Sequence, residues 1–419
     1  MTPIQSHFWS LSSLKAPATY PAIPRAMQIT DLHFLLTPEG QQLLRETAVP
    51  PITTSNHLQI ASRLRQQVDP TLSQAIIETV LLRQHAASKF SRAAEMYFTR
   101  PALEQASSEI VAAYRASKYF QAGLNHIADL GCGIGGDAIG LTAQAEVIGI
   151  DLDPLRLAMA QENVRAYGNG DSFLPVQSDV TNLLASHVQA FFFDPARRDA
   201  HGRRLHSVAL YQPPLSIIDR WRGEIAHGAV KISPAVDYAE LPAEAGVEFI
   251  SLAGEVKEGI LWYGDLRSGS GRRATLLPTG HTLSSDDYPG ENVSVTSPST
   301  YLYEPDGAVI RAHLVQHLAR HLDLSQIDAS IAYLTAGTHH ETPFARCFSL
   351  EAWFPFQLKR LRQYLRTNNI GRVTIKKRGS PLDPDTLRQQ LRLRGDEERT
   401  LFLTHVRGEP AVLIGSEIG

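Results

Sequence analysis

Cysteine is nearly absent from this chain of 419 residues, with only Cys132 and Cys347 present. Two thiols exclude a disulfide-stapled scaffold and, with no thiolate cluster, an iron–sulfur centre. A reducing cytoplasm is the compartment they fit. Long apolar runs are missing too. None reaches the roughly 20 residues that span a bilayer, so no membrane association is expected. The opening segment lacks the basic start and apolar core of a secretory signal. Excess charge of one sign is also lacking. A formal net charge of -3 gives no global attraction to nucleic acid, although a local basic face can hide inside a neutral total. No internal repeat or low-complexity tract stands out. His339-His340-Glu341 is a cluster without the His-Glu-x-x-His spacing of a zinc helix, so no metal site is expected.

What is present is ordinary globular material, 43% hydrophobic and 20% charged, in a length that calls for two or three domains. Residues 1–26 read either as a disordered arm or as a non-native extension ahead of the cleaner pattern from Met27. Residues 27–120 read as a helical domain. Pro38 opens one helix, Pro70 precedes a stretch from Leu72 to about Phe90, and Pro101 starts another carrying Leu103, Ile110, Val111 and Tyr114. Lys89-Phe90 and Phe98-Thr99-Arg100, near helix ends, either line a cleft or turn corners.

From 121 to 283 strands and helices alternate, as in a doubly wound α/β domain. Strand candidates are 126–130, 146–151, 173–177, 188–193, 229–233, 247–252 and 258–263, with helices near 136–142, 154–167 and 207–221. Ala190-Phe191-Phe192-Phe193 is apolar on consecutive residues, as a central parallel strand should be. Short connections among the late strands suit an antiparallel edge. Beyond polar breaks at 286–290 and 296–300 lie two small modules. The first, 299–350, carries a helix at 308–320 and a strand at 329–335; the second, 351–416, carries helices at 355–368 and 384–391 among strands.

The most informative run is Asp129-Leu130-Gly131-Cys132-Gly133-Ile134-Gly135-Gly136-Asp137, followed by a second strand that ends at Asp151-Leu152-Asp153-Pro154. A strand, a glycine turn, a helix and a strand closed by an acid make a site for a nucleotide-derived cofactor. Gly131-x-Gly133-x-x-Gly136 fits dinucleotide spacing, which is weak evidence alone. Asp129 discriminates. A pyrophosphate prefers free N–H groups at a helix start and is repelled by a carboxylate, whereas S-adenosylmethionine brings an ammonium and a sulfonium. Asp151 suits a ribose diol under either reading. Asp179 can accept from an adenine amino group, with Val180 against the ring, and Asp194 closes the fourth strand. Each acid alone reads as a turn or capping residue. Together they fall at the carboxyl ends of consecutive strands, where open α/β sheets bind ligands.

The Asp129–Gly135 run resembles the first motif of class I S-adenosylmethionine-dependent methyltransferases. The chain is more specifically similar to the bacterial THUMP-like members of that class. Phe98-Thr99-Arg100-Pro101-Ala102-Leu103-Glu104-Gln105-Ala106, Asp194-Pro195-Ala196-Arg197, Lys231-Ile232-Ser233-Pro234 and Arg372-Val373-Thr374-Ile375-Lys376-Lys377-Arg378-Gly379 carry the likeness, over about residues 30–415. It implies a Rossmann-like α/β domain, a helical N-terminal domain, and a C-terminal α+β region. In that region 299–350 would be ferredoxin-like and 351–416 THUMP-like. It also implies that Gly131, Gly133 and Gly135 hold the methionine part, Asp151 the ribose, and Asp179 with Val180 the adenine, with Leu152 also lining the cofactor and S-adenosyl-L-homocysteine as product.

Residues 194–198 would face the acceptor. Amino-methylating nucleic-acid enzymes commonly show Asp/Asn-Pro-Pro-Tyr/Phe there, but this chain has Ala196 and Arg197, so the stacking ring is missing. Asp194 is the candidate to orient or deprotonate the acceptor, and Arg197 to stack on it or bind phosphate. Carbon methylation through a cysteine adduct has no candidate thiol. Arg197, Arg198, Arg203 and Arg204, with His201, make a basic loop, and Lys231 either joins it or snorkels to water. From Gln357 to Gly395 eleven basic residues, Lys376, Lys377 and Arg378 among them, face only Asp383 and Asp385. That reads as a phosphate-binding surface or as a solvated face. RNA, of transfer or ribosomal type, is the expected acceptor, with no obligate protein partner. Methylation of a small anionic metabolite or a protein, and an inactive RNA-binding assembly factor, are the alternatives. Dinucleotide-dependent oxidoreduction is a poorer fit.

Overall fold

The computed structural model describes residues 26–182, 188–196, 207–267, 269, 271–290 and 293–418. Apart from Ala26, the expected arm or extension at 1–26 lies outside them, as do Arg197, Arg198, His201, Arg203 and Arg204. The chain divides into two compact units, one from residues 13–246 with 259–268, the other from 247–258 with 269–419.

The first unit begins with helices α1 (Ile29–Leu36), α2 (Pro38–Thr47), α3 (His57–Leu64), α4 (Pro70–Ala86), α5 (Arg100–Gln105) and α6 (Glu109–Gln121). Several starts share one local logic. Thr37 and Asp69 accept first-turn N–H groups with their side chains, and the proline after each presets the first helical φ. The helix expected from Pro101 through Tyr114 is two helices. Ala106-Ser107-Ser108 leave the helical path between α5 and α6. The corner reading holds for the flanking segments. The Lys89 ammonium lies 2.7 Å from the Leu103 carbonyl and 3.2 Å from that of Ala106, and Phe90 packs on Phe98 in the core.

The chain then runs through β1 (His126–Leu130), α7 (Ala138–Leu141), β2 (Glu146–Asp151), α8 (Pro154–Ala166), β3 (Phe173–Gln177), β4 (Ala190–Phe193), α9 (Ile217–Arg222) and β5 (His227–Ile232). These strands lie in the order β3-β2-β1-β4-β5 and all pair in parallel. The chain moves outward from β1 to β3, then returns to the other side of β1, which makes β1/β4 the switch point. Every residue of β4 is buried. Phe191 and Phe193 meet Trp221 of α9 edge-on, while Phe192 lies under Arg115 of α6, so both faces are covered. The helix expected at 207–221 is reduced to α9 and one short turn, because Pro213 and Pro214 cannot continue a helix.

Strands β6 (Gly246–Leu252) and β7 (Glu255–Tyr263) follow. In the first unit, residues 259–263 of β7 pair antiparallel with β5. In the second unit, β6 pairs in parallel with β8 (Arg272–Leu277), which turns back antiparallel as β9 (His281–Ser284). The late strands are therefore mixed rather than purely antiparallel.

The second unit continues with β10 (Tyr301–Pro305), α10 (Gly307–Arg311), α11 (Val315–His321), β11 (Ser325–Gln326), β12 (Leu334–Ala336) and β13 (Ala345–Pro355). It ends with α12 (Leu358–Thr367), β14 (Ile370–Lys377), α13 (Pro384–Leu391), β15 (Glu397–Val406) and β16 (Glu409–Ile418). The helix expected at 308–320 is interrupted at His313, whose φ of 56° is left-handed. The strand expected at 329–335 shrinks to β12. The strand order β11-β12-β10-β13-β16-β15-β14 forms one sheet, and the 350/351 division falls inside β13. Alternation along β15 and β16 sends Leu401, Leu403, Val412 and Ile414 to one apolar cluster, beneath α12 and α13. Phe402, Ala411 and Leu413 go to the other.

Candidate functional site

The glycine turn leaves β1 at the centre of the parallel sheet. The N–H groups of Gly131 and Cys132 donate to the Ile150 carbonyl at 2.8 and 3.0 Å, which fastens the turn to β2. Gly131, Gly133 and Gly135 all have positive φ. A Cβ on Gly135 would stand 3.1 Å from the Ala160 Cα, so that glycine serves the packing of the turn on α8. A Cβ on Gly133 would meet no protein atom within 4 Å. Space kept open over a left-handed turn is where a cofactor can approach the backbone.

Asp151 at the end of β2 is buried, and its carboxylate spans this turn. One oxygen accepts the Gly133 N–H at 3.0 Å and the other the Asp153 N–H at 2.9 Å. Each oxygen keeps lone-pair capacity for a ribose hydroxyl. Leu152 beside it is 65% exposed, an apolar side chain with no core to fill. Asp179 is exposed and accepts the Thr181 N–H at 2.8 Å, with Val180 in the short helical turn that follows. With that bond Asp179 caps the turn after β3.

Asp129 is 1% exposed, and its Oδ2 accepts no hydrogen bond among the described residues. Burial first, then the neighbouring Asp194 charge, push its pKa up to about 7 against the opposing pull of Arg115. Arg115 is itself buried and ion-paired with Asp137, just after the glycine turn. A buried carboxyl whose Oδ2 accepts no hydrogen bond among the described residues, beside an open glycine turn, fits a ligand with a cationic end better than one with a pyrophosphate.

Asp194 stands at the end of β4 with its side chain 22% exposed. Its Oδ2 is 2.6 Å from the Lys231 ammonium, which is also 3.0 Å from the Ser107 hydroxyl. Lys231 is only 4% exposed. It neither snorkels to water nor offers a surface cation to an anionic substrate, because β5 places it in the interior beside Asp194.

Sequence reasoning passed over Ser107, Arg115 and Asn163. Asn163 of α8 accepts the Tyr97 N–H at 2.7 Å and donates to the carbonyls of Tyr97 and Ile134 at 3.0 and 2.9 Å. It ties the helical region to the glycine turn. Two of these residues left a signal. Arg115 interrupts the apolar stripe of Val111, Ala112, Ala116 and Tyr119, and Ser107-Ser108 breaks a helical pattern.

In the C-terminal sheet, Lys376 and Arg378 are not free surface cations. Both pair with Glu304 and are 17% exposed, and each lies 5.0 Å from an aromatic ring, Phe348 and Tyr333 respectively. Arg372 pairs with Glu398 at 3.6 Å and Arg388 with Asp385 at 3.2 Å. The basic excess read between 357 and 395 is partly cancelled by acids from other strands. Among the described residues, Lys359, Arg366, Arg392 and Arg394 are exposed without an acidic partner, whereas the half-buried Lys377 is close enough to Asp383 to help hold that carboxyl below its usual range.

Three family models match the chain. Residues 28–86 match a domain of unknown function, 124–196 the RNA cap guanine-N2 methyltransferase family, and 345–417 a THUMP domain-like family. An uncharacterised S-adenosylmethionine-dependent methyltransferase from Mycobacterium tuberculosis, found in strains CDC 1551 and H37Rv, is 36% identical over 349 residues, covering 79% of this chain and 92% of the relative. A solved structure from Porphyromonas gingivalis W83, of a protein provisionally assigned as a methyltransferase, superimposes with a TM-score of 0.74 at 21% identity, covering 91% of this chain and 98% of that one.

Proposed function

The chain belongs to the S-adenosylmethionine-dependent methyltransferases represented by those mycobacterial relatives, and on that premise we propose that its acceptor is RNA. S-adenosylmethionine supplies an electrophilic methyl group on a sulfonium. The Gly131–Gly135 turn holds its amino-acid end, with the buried Asp129 carboxylate behind, and Asp151 takes the ribose hydroxyls. Leu152 gives the adenine an apolar face, and Asp179 with Val180 borders it.

Asp194 meets the acceptor. Its carboxylate orients the attacking nitrogen or oxygen and receives the proton or hydrogen bond it gives up. The observation that carries this reading is the placement of Asp129, Asp151 and Asp194 at the carboxyl ends of adjacent parallel strands around the open Gly133 turn. The family matches at 124–196 and 345–417 support RNA in particular, since one is named for an RNA methyltransferase and the other for a THUMP-like domain. Lys359 and Arg366 of α12, with Arg392 and Arg394 just after α13, would engage its phosphates.

The test is transfer of labelled methyl groups by the purified protein into total RNA, protein and metabolites from cells lacking the gene. Label in RNA is expected. Label confined to protein or metabolites sinks the RNA acceptor, and none anywhere, with cofactor bound, indicates a binding factor.

A further inference from the structure

We propose that Lys231 is a positioning residue that, with Ser107, holds the Asp194 carboxylate toward the acceptor. This rests on the reading that Asp194 meets the acceptor. The strand register creates the pair. Phe193 of β4 lies opposite Val230 of β5, so the next residues, Asp194 and Lys231, emerge side by side. The ammonium is then 2.6 Å from Asp194 Oδ2 and 3.0 Å from Ser107 Oγ. The two charges sit at different depths, Lys231 at 4% exposure behind and Asp194 at 22% in front.

A buried ammonium is costly to place, and a well-packed apolar side chain in its stead is often neutral or stabilising. The contribution of Lys231 is therefore to be sought in the site. A long flexible carboxylate partner would lose orientation; a short Asp clamped by a buried cation does not. Ser107 extends the clamp to the helical region. Its linker also abuts the cofactor turn, since a Cβ on Gly136 would stand 3.4 Å from the Ala106 Cβ and 3.7 Å from the Ser107 carbonyl oxygen. One loop between α5 and α6 thus touches both the turn and the ammonium.

The experiment compares Lys231→Met, Lys231→Arg, Ser107→Ala, Asp194→Asn and the Lys231→Met/Asp194→Asn double variant, on whichever fraction takes label. Lys231→Met should lower kcat by about tenfold or more while cofactor affinity, measured by calorimetry on the same samples, stays within about threefold. Lys231→Arg should recover part of the loss, and Ser107→Ala should show a smaller one. In the Asp194→Asn background the Lys231 substitution should add less than about twofold, because its route to the acceptor is already gone. Equal losses in both backgrounds, or parallel loss of cofactor binding, would overturn the proposal and leave Lys231 a structural residue. If Asp194→Asn alone leaves transfer intact, the reading of Asp194 fails first. If no fraction takes label, the proposal falls with the reading beneath it.

Discussion

Asp129 is almost wholly buried at the end of β1, and its raised pKa follows from that place. Burial first, and the Asp194 charge second, raise its pKa from 3.8 to about 7. Between those values the folded protein holds a proton that the unfolded chain has lost. The associated stability is complete below about 3.8 and declines as pH rises to about 7. Unfolding by urea across that range should show this decline in the parent protein and a flatter profile in Asp129→Asn. Identical profiles would remove the raised carboxyl from the account. Asp151→Ala removes both the proposed ribose acceptor and the partner of the Gly133 N–H. Cofactor affinity by calorimetry should fall by about tenfold or more, and an unchanged value counts against the ribose role.

At the scale of elements, the glycine turn carries two demands that substitution separates. Gly133→Ala places a methyl in open space, so its structural cost is the strain of a left-handed alanine, about 1–2 kcal/mol. Cofactor affinity should fall by more than that strain explains. Gly135→Ala drives a methyl to 3.1 Å from the Ala160 backbone and should lose stability first, seen as a lower Tm with or without cofactor. The reverse pattern would reassign the two glycines. The turn and its flanking strands were legible because each acid and glycine acts within a few residues of its own strand end. The purpose of the Ala106-Ser107-Ser108 break was not: the two serines signal an interruption, but only packing against Gly136 and Lys231 gives that linker a role.

At the scale of the whole molecule, charge is redistributed by folding. The run around Lys376 has the composition of a phosphate-binding strip, yet Glu304, more than seventy positions earlier, pairs with Lys376 and Arg378. Replacing Lys359 and Arg366 with alanine should weaken RNA retention and reduce the salt slope by roughly 0.7 for each phosphate left without its cation. Replacing Lys376 and Arg378 should instead lower stability. RNA affinity that follows only the second pair would return the phosphate-binding role to β14. Among the described residues no helix is long and apolar enough to cross a membrane.

Sequence alone determined the alternating strand and helix order, the glycine turn, the acids at the strand ends and hence the methyl donor. Those features are local. A strand's last residue, its turn and its capping proline act over a few positions, and a short segment shows them. Tertiary structure decided which charges are buried partners of one another and which stay at the surface. Lys231, a candidate substrate cation by sequence, is a buried partner of Asp194, because parallel pairing of β4 with β5 sets them side by side across 37 positions of chain. The partner of a charge depends on register and burial, which no single stretch of sequence contains.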